Sequence, residues 1–441
     1  MKHIRRTFGL FLILLAAFSL VFQPARAQSD DPLALVMTAD GPIMPPMLEY
    51  ITRGIETADR RNAEVLVIQL NTPGGNLETM LEIITEIRAS DVPVVVYVAP
   101  RNAIAGSAGA MITMAGHASA MAPETSIGAS SPIQSSGENL NTTADAKAKE
   151  ITKAAIRDFV LPRGEDALAL AEAMIDQAKA ATATEALEVG LIDFIEDDVG
   201  DLLDALDGFT VQMEDGPRTL NTNQIDIEPL EMSFIEAFLL LLTNPNITFL
   251  LTAIGIQAVL IEISSPGGWV AGFIGAVCIT LAVYGLGVLP VNWFGIIFLI
   301  IAFVLFILDI NAPTHGALTA AGVASFIVGA LVLFNSPGTP DFLRVSVPLV
   351  IGTGLSIGAL FFAILVYALR ALRAPIASGV ESFVGKTGTV KTSMRGSSGQ
   401  VQLGSELWSA DAADESEKIR KGDTVEVVEV KGLRLKVRKK K

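Results

Sequence analysis

RNAIAGSAGAMITMAG, Arg101–Gly116, is the stretch on which the reading of the chain turns. Upstream of it, PVVVYVA (Pro93–Ala99) is an apolar, β-branched run that predicts a buried strand. Downstream of Ser107, Ala108, Ala110, Met111, Ile112, Met114 and Ala115 predict a helix of small and apolar residues. A serine between a buried strand and a helix holds its hydroxyl at the carboxyl edge of a sheet, where open α/β folds bind ligands. Gly106 and Gly109 allow other backbone to come close. GSAG alone equally describes a tightly packed helix start, so the neighbouring segments have to decide.

The preceding unit ends in the same manner. EVLVIQL (Glu64–Leu70) predicts a second strand and runs directly into Asn71-Thr72-Pro73-Gly74-Gly75. Leu77, Met80, Leu81, Ile84 and Ile87 then repeat at helical spacing. Strands alternating with helices predict a parallel sheet covered on both faces. Both Gly-rich exits then lie at one sheet edge. A strand that ends in Pro-Gly-Gly exposes backbone N–H groups, and such groups can hold the oxyanion formed when a serine attacks a carbonyl.

A nucleophilic serine needs a base. The chain has three histidines. His3 lies in a stretch that reads as a signal peptide, His315 lies among hydrophobic spans, and His117 follows Ser107 on what reads as the same helix. That argues against a Ser-His-Asp triad. A desolvated lysine can replace histidine, and Lys147, Lys149 and Lys153 cluster on a predicted helix, Asp145–Val160.

The order NTPGG (Asn71–Gly75), GSAG (Gly106–Gly109), MAPETSIGAS (Met121–Ser130), a lysine-bearing helix and EALEVGLID (Glu185–Asp193) resembles the membrane-bound, Clp-protease-class serine peptidases of the NfeD family. The resemblance extends over nearly the whole chain. It implies a Clp/crotonase-like α/β spiral domain and a Ser-Lys dyad of Ser107 and Lys147, with Lys149 and Lys153 as the other lysines to test. It also implies oxyanion donors at Gly75 and Ala108, with Gly74 shaping the turn. Substrates with apolar segments, a stomatin- or flotillin-like membrane partner and homo-oligomers are further implications. Asn71 stands where relatives often carry an acidic residue, and little effect is expected. The polar stretch Ser131–Thr143 precedes the lysine, so the base is expected to be assembled when substrate orders that loop.

Composition supplies the rest. Mean hydropathy is +0.50 with 51% hydrophobic residues in 441, too apolar for a wholly soluble chain. Lys2, Arg5, Arg6, the apolar run Phe8–Phe22 and Ala25-Arg26-Ala27 predict a signal peptide over residues 1–27. Residues 28–232 are then the exported peptidase domain. Residues 233–375 carry about five predicted spans: Ile247–Ile263, Trp269–Leu289, Val291–Ile310, Ala317–Phe334 and Val345–Leu369. Ser233–Thr243 also fits an interfacial helix. Arg370 and Arg373 follow the last span and place the C-terminus in the cytoplasm. The spans contain almost no ionisable residue, Glu262 and Asp309 lying near their ends, which argues against a proton or ion pathway.

Residues 376–441 predict a five-stranded, OB-like barrel with Trp408 in its core. A formal net charge of −15 and few aromatics beside basic residues exclude nucleic acid as the expected partner. The single cysteine, Cys278, excludes an intramolecular disulfide and a Cys-based metal site; no cofactor is expected. An acyl-CoA enzyme would share the fold and the glycines, but CoA is absent outside the cytoplasm. A rhomboid-type protease would need its serine inside a span. A scaffold that assembles membrane partners with little peptidase activity remains the alternative.

Overall fold

The computed structural model describes residues 32–130, 142–264, 267–311, 314, 316–337, 339–373, 380–395, 398–414 and 416–440. The predicted signal peptide and most of the polar loop before Lys147 lie outside them. Two compact units divide between Gly358 and Ala359.

The first unit begins with five βα-type steps. β1 (Leu33–Asp40), β2 (Val65–Asn71), β3 (Val94–Val98), β5 (Ala118–Met121), β8 (Phe194–Ile195) and β11 (Asp226–Pro229) form a parallel six-stranded sheet in the order β11-β1-β2-β3-β5-β8. β3 shows why the valine run reads as it does. Val94, Val96 and Val98 enter one apolar layer while Val95 and Tyr97 enter the other. A strand covered on both faces has no polar side to show.

One face is covered by α1 (Pro45–Arg60), α2 (Leu77–Arg88), α3 (Ala108–Ala115), α4 (Thr142–Val160) and α5 (Glu165–Asp176). α7 (Val199–Leu206) and the hairpin β9 (Thr210–Met213)–β10 (Gly216–Thr219) cover the other. A separate small sheet, β4 (Ile104–Gly106), β6 (Ser126–Gly128) and β7 (Ala180–Thr182), stands beside the main one and carries the entry to Ser107. α6 (Ala183–Glu188) starts in a Thr182–Glu185 capping box.

α8 (Phe234–Leu242) is a separate short helix, opened by a Ser233–Glu236 capping box and closed before Pro245. Exposed Phe234 and Ile235 at its start suit an interfacial position. Four helical segments are then long and apolar enough to cross a membrane: 245–263 in α9 (Pro245–Ser264), α10 (Val270–Val288), α12 (Ala317–Phe334) and 341–364, mostly in α13 (Val347–Arg373). The fifth expected span corresponds to α11 (Phe294–Asn311), whose described apolar part, Phe294–Asp309, is shorter than the others.

The helices pair as α9 with α10 and α11 with α12, and each pair is closed by a carboxylate from its first helix. Glu262 accepts from the N–H groups of Gly267, Trp269 and Gly272. Asp309 accepts from the hydroxyls of Thr314 and Thr319 and from the Thr319 N–H at 3.0 Å. Both acids thus cap the following helix, where free N–H groups and the helix dipole favour a negative charge.

Described by itself, the second unit contains a closed barrel of β12 (Thr387–Arg395), β13 (Ser398–Leu403), β14 (Glu406–Ala412), β16 (Arg434–Lys439) and β15 (Thr424–Lys431). The 1-2-3-5-4 order, with β14 parallel to β16, is that of an OB-type barrel. Trp408 differs from expectation. It is half-buried at the core's margin, packed on Phe383 with ring centroids 5.0 Å apart, because the sealed interior is filled by Val390, Val401, Val425, Leu435 and Val437.

Candidate active site

The two Gly-rich strand exits are joined by backbone. The Thr72 N–H donates to Ile104 O at 2.8 Å, and the Gly106 N–H donates to Thr72 O at 2.9 Å. Asn71 adds a side-chain tie, accepting from the Ile104 N–H at 3.1 Å and donating to Asp40 at 3.1 Å. Asn71 therefore holds the loop end on which the site is built, a positional role its sequence context did not reveal. Thr72, fully buried, closes the Pro-Gly turn by accepting from the Gly74 N–H at 3.1 Å.

Ser107 sits at the N-cap of α3 with φ +50° and ψ −113°. Non-glycine residues avoid this backbone region, and one held there signals a constraint imposed by its surroundings. The constraint is visible. The Ser107 N–H donates to Gly128 O at 2.8 Å, and its carbonyl accepts from the Ala110 N–H at 3.1 Å and from Ser130 Oγ at 3.1 Å. Ser130 is a further site residue, legible only as part of the MAPETSIGAS motif.

Gly74 and Gly75 are both required by close approach. At Gly74, where φ is +117°, a Cβ would stand 2.7 Å from Ser107 Cβ. At Gly75 a Cβ would stand 2.0 Å from Ile43 O, because the Ile43 N–H donates to Gly74 O and the Asn76 N–H to Ile43 O. The Gly75 and Ala108 N–H groups make no hydrogen bond among the described residues. Ala108 opens α3, so its N–H is one of the unpaired donors at a helix start. Ser107, Ala108 and Gly75 line one cleft of about 650 Å³, whose other lining is largely apolar, including Met44, Leu81, Met111 and Ile151.

The lysines separate by helix face. Lys149 Nζ donates to Asp176 O at 3.5 Å, and Lys153 lies 2.5 Å from Glu150 and 3.2 Å from Asp176. The Glu150 carboxylate above all, with Asp176 adding, raises the Lys153 pKa and holds it charged. Lys147 is four residues before Ile151, one turn earlier on α4, but it is not among the residues that line the cleft. It is exposed, unlike the buried amine that the sequence reading expected, and it falls inside α4, which begins at Thr142.

His117 is not on the serine's helix. α3 ends at Ala115, and His117 enters β5, where its Nδ1 accepts from the Val94 N–H at 3.1 Å. Burial, with the Arg88 charge adding, pushes its pKa down to about 4. It is a neutral core residue. Among the described residues no group of three or more His, Cys, Asp or Glu is placed to hold a metal ion.

Comparison with known proteins gives three family matches in chain order. The model of the NfeD1b N-terminal domain matches residues 38–212, that of the NfeD integral membrane domain residues 246–367, and that of the NfeD-like C-terminal, partner-binding domain residues 380–439. "Membrane-bound protease PH1510" of Pyrococcus horikoshii is 33% identical over 431 residues, covering 96% of this chain and 97% of that one. "Membrane protein NfeD1b" of Bacillus subtilis is 26% identical over 458 residues, covering 98% and 97%. A solved structure of a 1510-N membrane-bound stomatin-specific protease, a lysine-to-alanine variant in complex with a substrate peptide, is 29% identical with a TM-score of 0.45, covering 48% of this chain and 98% of that one. With a relative this similar along almost its entire length, the chain is a membrane protein and belongs to the NfeD family.

Proposed function

We propose that this chain is a membrane-anchored serine endopeptidase working through Ser107 and Lys147. The observation that carries the reading is the strained serine at a strand–helix junction, with two N–H groups, of Gly75 and Ala108, in the same cleft and without a hydrogen bond among the described residues. Lys147 takes the proton of Ser107 Oγ, and the oxygen attacks a peptide carbonyl. The N–H groups of Gly75 and Ala108 hold the oxyanion, helped by the positive end of α3. The amine leaves with the lysine's proton, and water then releases the acyl-enzyme. An apolar peptide laid along α4 would take water from the helix face bearing Lys147. Exposure of Lys147 in the free chain therefore fits an enzyme completed by its substrate.

The apolar cleft supports substrates with apolar segments. The partner-binding family of the barrel, and the stomatin specificity of the protease named above, support a stomatin-like partner; a homo-oligomer is part of the same reading. We place the peptidase domain outside the cytoplasm and the barrel inside, in keeping with Arg370 and Arg373 after the last span. The test is turnover of an apolar peptide by the detergent-solubilised full chain beside Ser107→Ala and Lys147→Ala. Both variants should stay folded and lose at least a hundredfold in kcat, about the contribution of a positioned base. Loss in Ser107→Ala alone moves the base to Lys149 or Lys153. No turnover by the unaltered chain, with a stomatin-like partner present, hands the function to the scaffold reading.

A further inference from the structure

The cleft around Ser107 is not made by the α/β domain alone. Its lining continues onto Gly287 and Val288 in the last turn of α10, Leu289 and Pro290 just after it, and Leu343 in the turn before α13. These positions lie where spanning helices end, so they form the rim of the membrane region on the peptidase side. The rim is held in place. Leu289 and Leu343 are each 5% exposed. Their N–H groups donate to Gly285 O and Pro340 O, each at 2.9 Å, and Asn335 bonds both the N–H and the carbonyl of Val345 at 2.9 Å. The same lining includes Leu77 and Ile151 of the α/β domain, the latter 51% exposed although it is a large aliphatic side chain. A cleft with this much apolar lining beside a nucleophile matches an extended apolar peptide.

Resting on the peptidase reading of Ser107, we infer that the helix-end rim is part of the substrate site: Leu289, Pro290 and Leu343 receive an apolar side chain of the polypeptide near the bond that is cut. Specificity is then set partly by residues outside the peptidase domain. A polypeptide in the cleft lies within a side chain's reach of the membrane helices' ends. A polar side chain at that position would face aliphatic groups with no hydrogen-bond partner and be rejected.

The test uses the full chain in detergent or nanodiscs. A peptide carrying a benzophenone side chain next to its cleavage point is irradiated with the Ser107→Ala variant, and adducts are mapped by mass spectrometry. Adducts are expected at 287–290 or 341–345; adducts confined to the α/β domain overturn the inference. In parallel, kcat/KM is compared for a leucine and a serine peptide differing at that one position. Leu343→Ala, and Gly287→Phe, where a Cβ meets no atom within 4 Å, should each change the ratio by about tenfold, and an unchanged ratio in folded protein counts against the rim. If either variant fails to fold, the adduct map decides. Rim adducts without turnover by the unaltered chain would retain the rim and remove the peptidase; turnover with adducts only on the α/β domain would do the reverse.

Discussion

Ser107 and Gly74 depend on each other at the scale of single atoms. With φ +117° and Ser107 Cβ in the way, Gly74→Ala must either move the serine or strain the turn. Such strain costs about 1–3 kcal/mol. The expected result is a lower melting temperature in detergent together with at least tenfold loss of peptide turnover. His117 makes a prediction of another kind. Its pKa is about 4 when folded, against about 6.5 unfolded, so the unfolded chain binds the proton first as pH falls. The folded state is at full strength above pH 6.5 and loses up to about 3 kcal/mol by pH 4 through this residue. His117→Gln should flatten that part of the stability–pH curve, measured by denaturant unfolding. That the two Gly-rich strand exits meet was legible because backbone conformation leaves its mark in the sequence, whereas the roles given to Gly74, Gly75 and Ala108 came from the family resemblance. The places of Asn71 and Ser130 were not legible. Their bonds reach residues more than twenty positions away, and local pattern says nothing of such partners.

At the scale of elements, apolar periodicity carried the sheet, its covering helices and the paired membrane helices. It misjudged the ends. α3 stops at Ala115 because Gly116 leads directly into β5, so a helix drawn through His117 was too long. It also could not show that α8 is fastened to α1. Glu236, 6% exposed, accepts from Arg53 Nε at 2.7 Å and Nη2 at 2.8 Å while serving in the capping box of its own helix. The Arg53 hydrogen bond, first, and then Ser233 hold the Glu236 carboxyl below its usual range despite burial. The stability this contributes is present above the unfolded carboxyl pKa and is lost as pH falls through the folded one. Glu236→Ala removes the half of the capping box that holds the Ser233 N–H and leaves the Arg53 guanidinium without its carboxylate, bonded only to Glu231 O. We expect a loss of about 2–4 kcal/mol, and faster amide exchange along α8 before any other helix. Equal exchange in the two proteins would show that the contact does not fasten the helix.

For the whole molecule, the chain's three compositions translate into three architectures: an α/β domain, apolar helices and a closed barrel. The barrel has its own core of Val390, Val401, Val425, Leu435 and Val437 and forms part of a separate compact unit. Deleting residues 376–441 should therefore leave kcat/KM on a free apolar peptide within about twofold, while capture of a stomatin-like partner is lost. A peptidase that dies with the barrel would show instead that the two halves work as one. The contribution of the helix ends to the cleft was invisible in the sequence, since Leu289 and Leu343 look there like ordinary span boundaries. Only the folded chain shows that they line the same cleft as Ser107.

The carboxylates that close the two helix pairs bear on how the protein is made. Glu262 finds its partners on the stretch that starts the next helix, with Gly272 ten residues on; Asp309 does the same with Thr319, ten residues on. A helix handed to the bilayer singly would carry its acid without those N–H groups, and an unpartnered charge is costly there. During synthesis, then, α9 should wait for α10 and α11 for α12. The chain is then expected to enter the bilayer as two hairpins followed by a lone helix, each hairpin closed by its own acid.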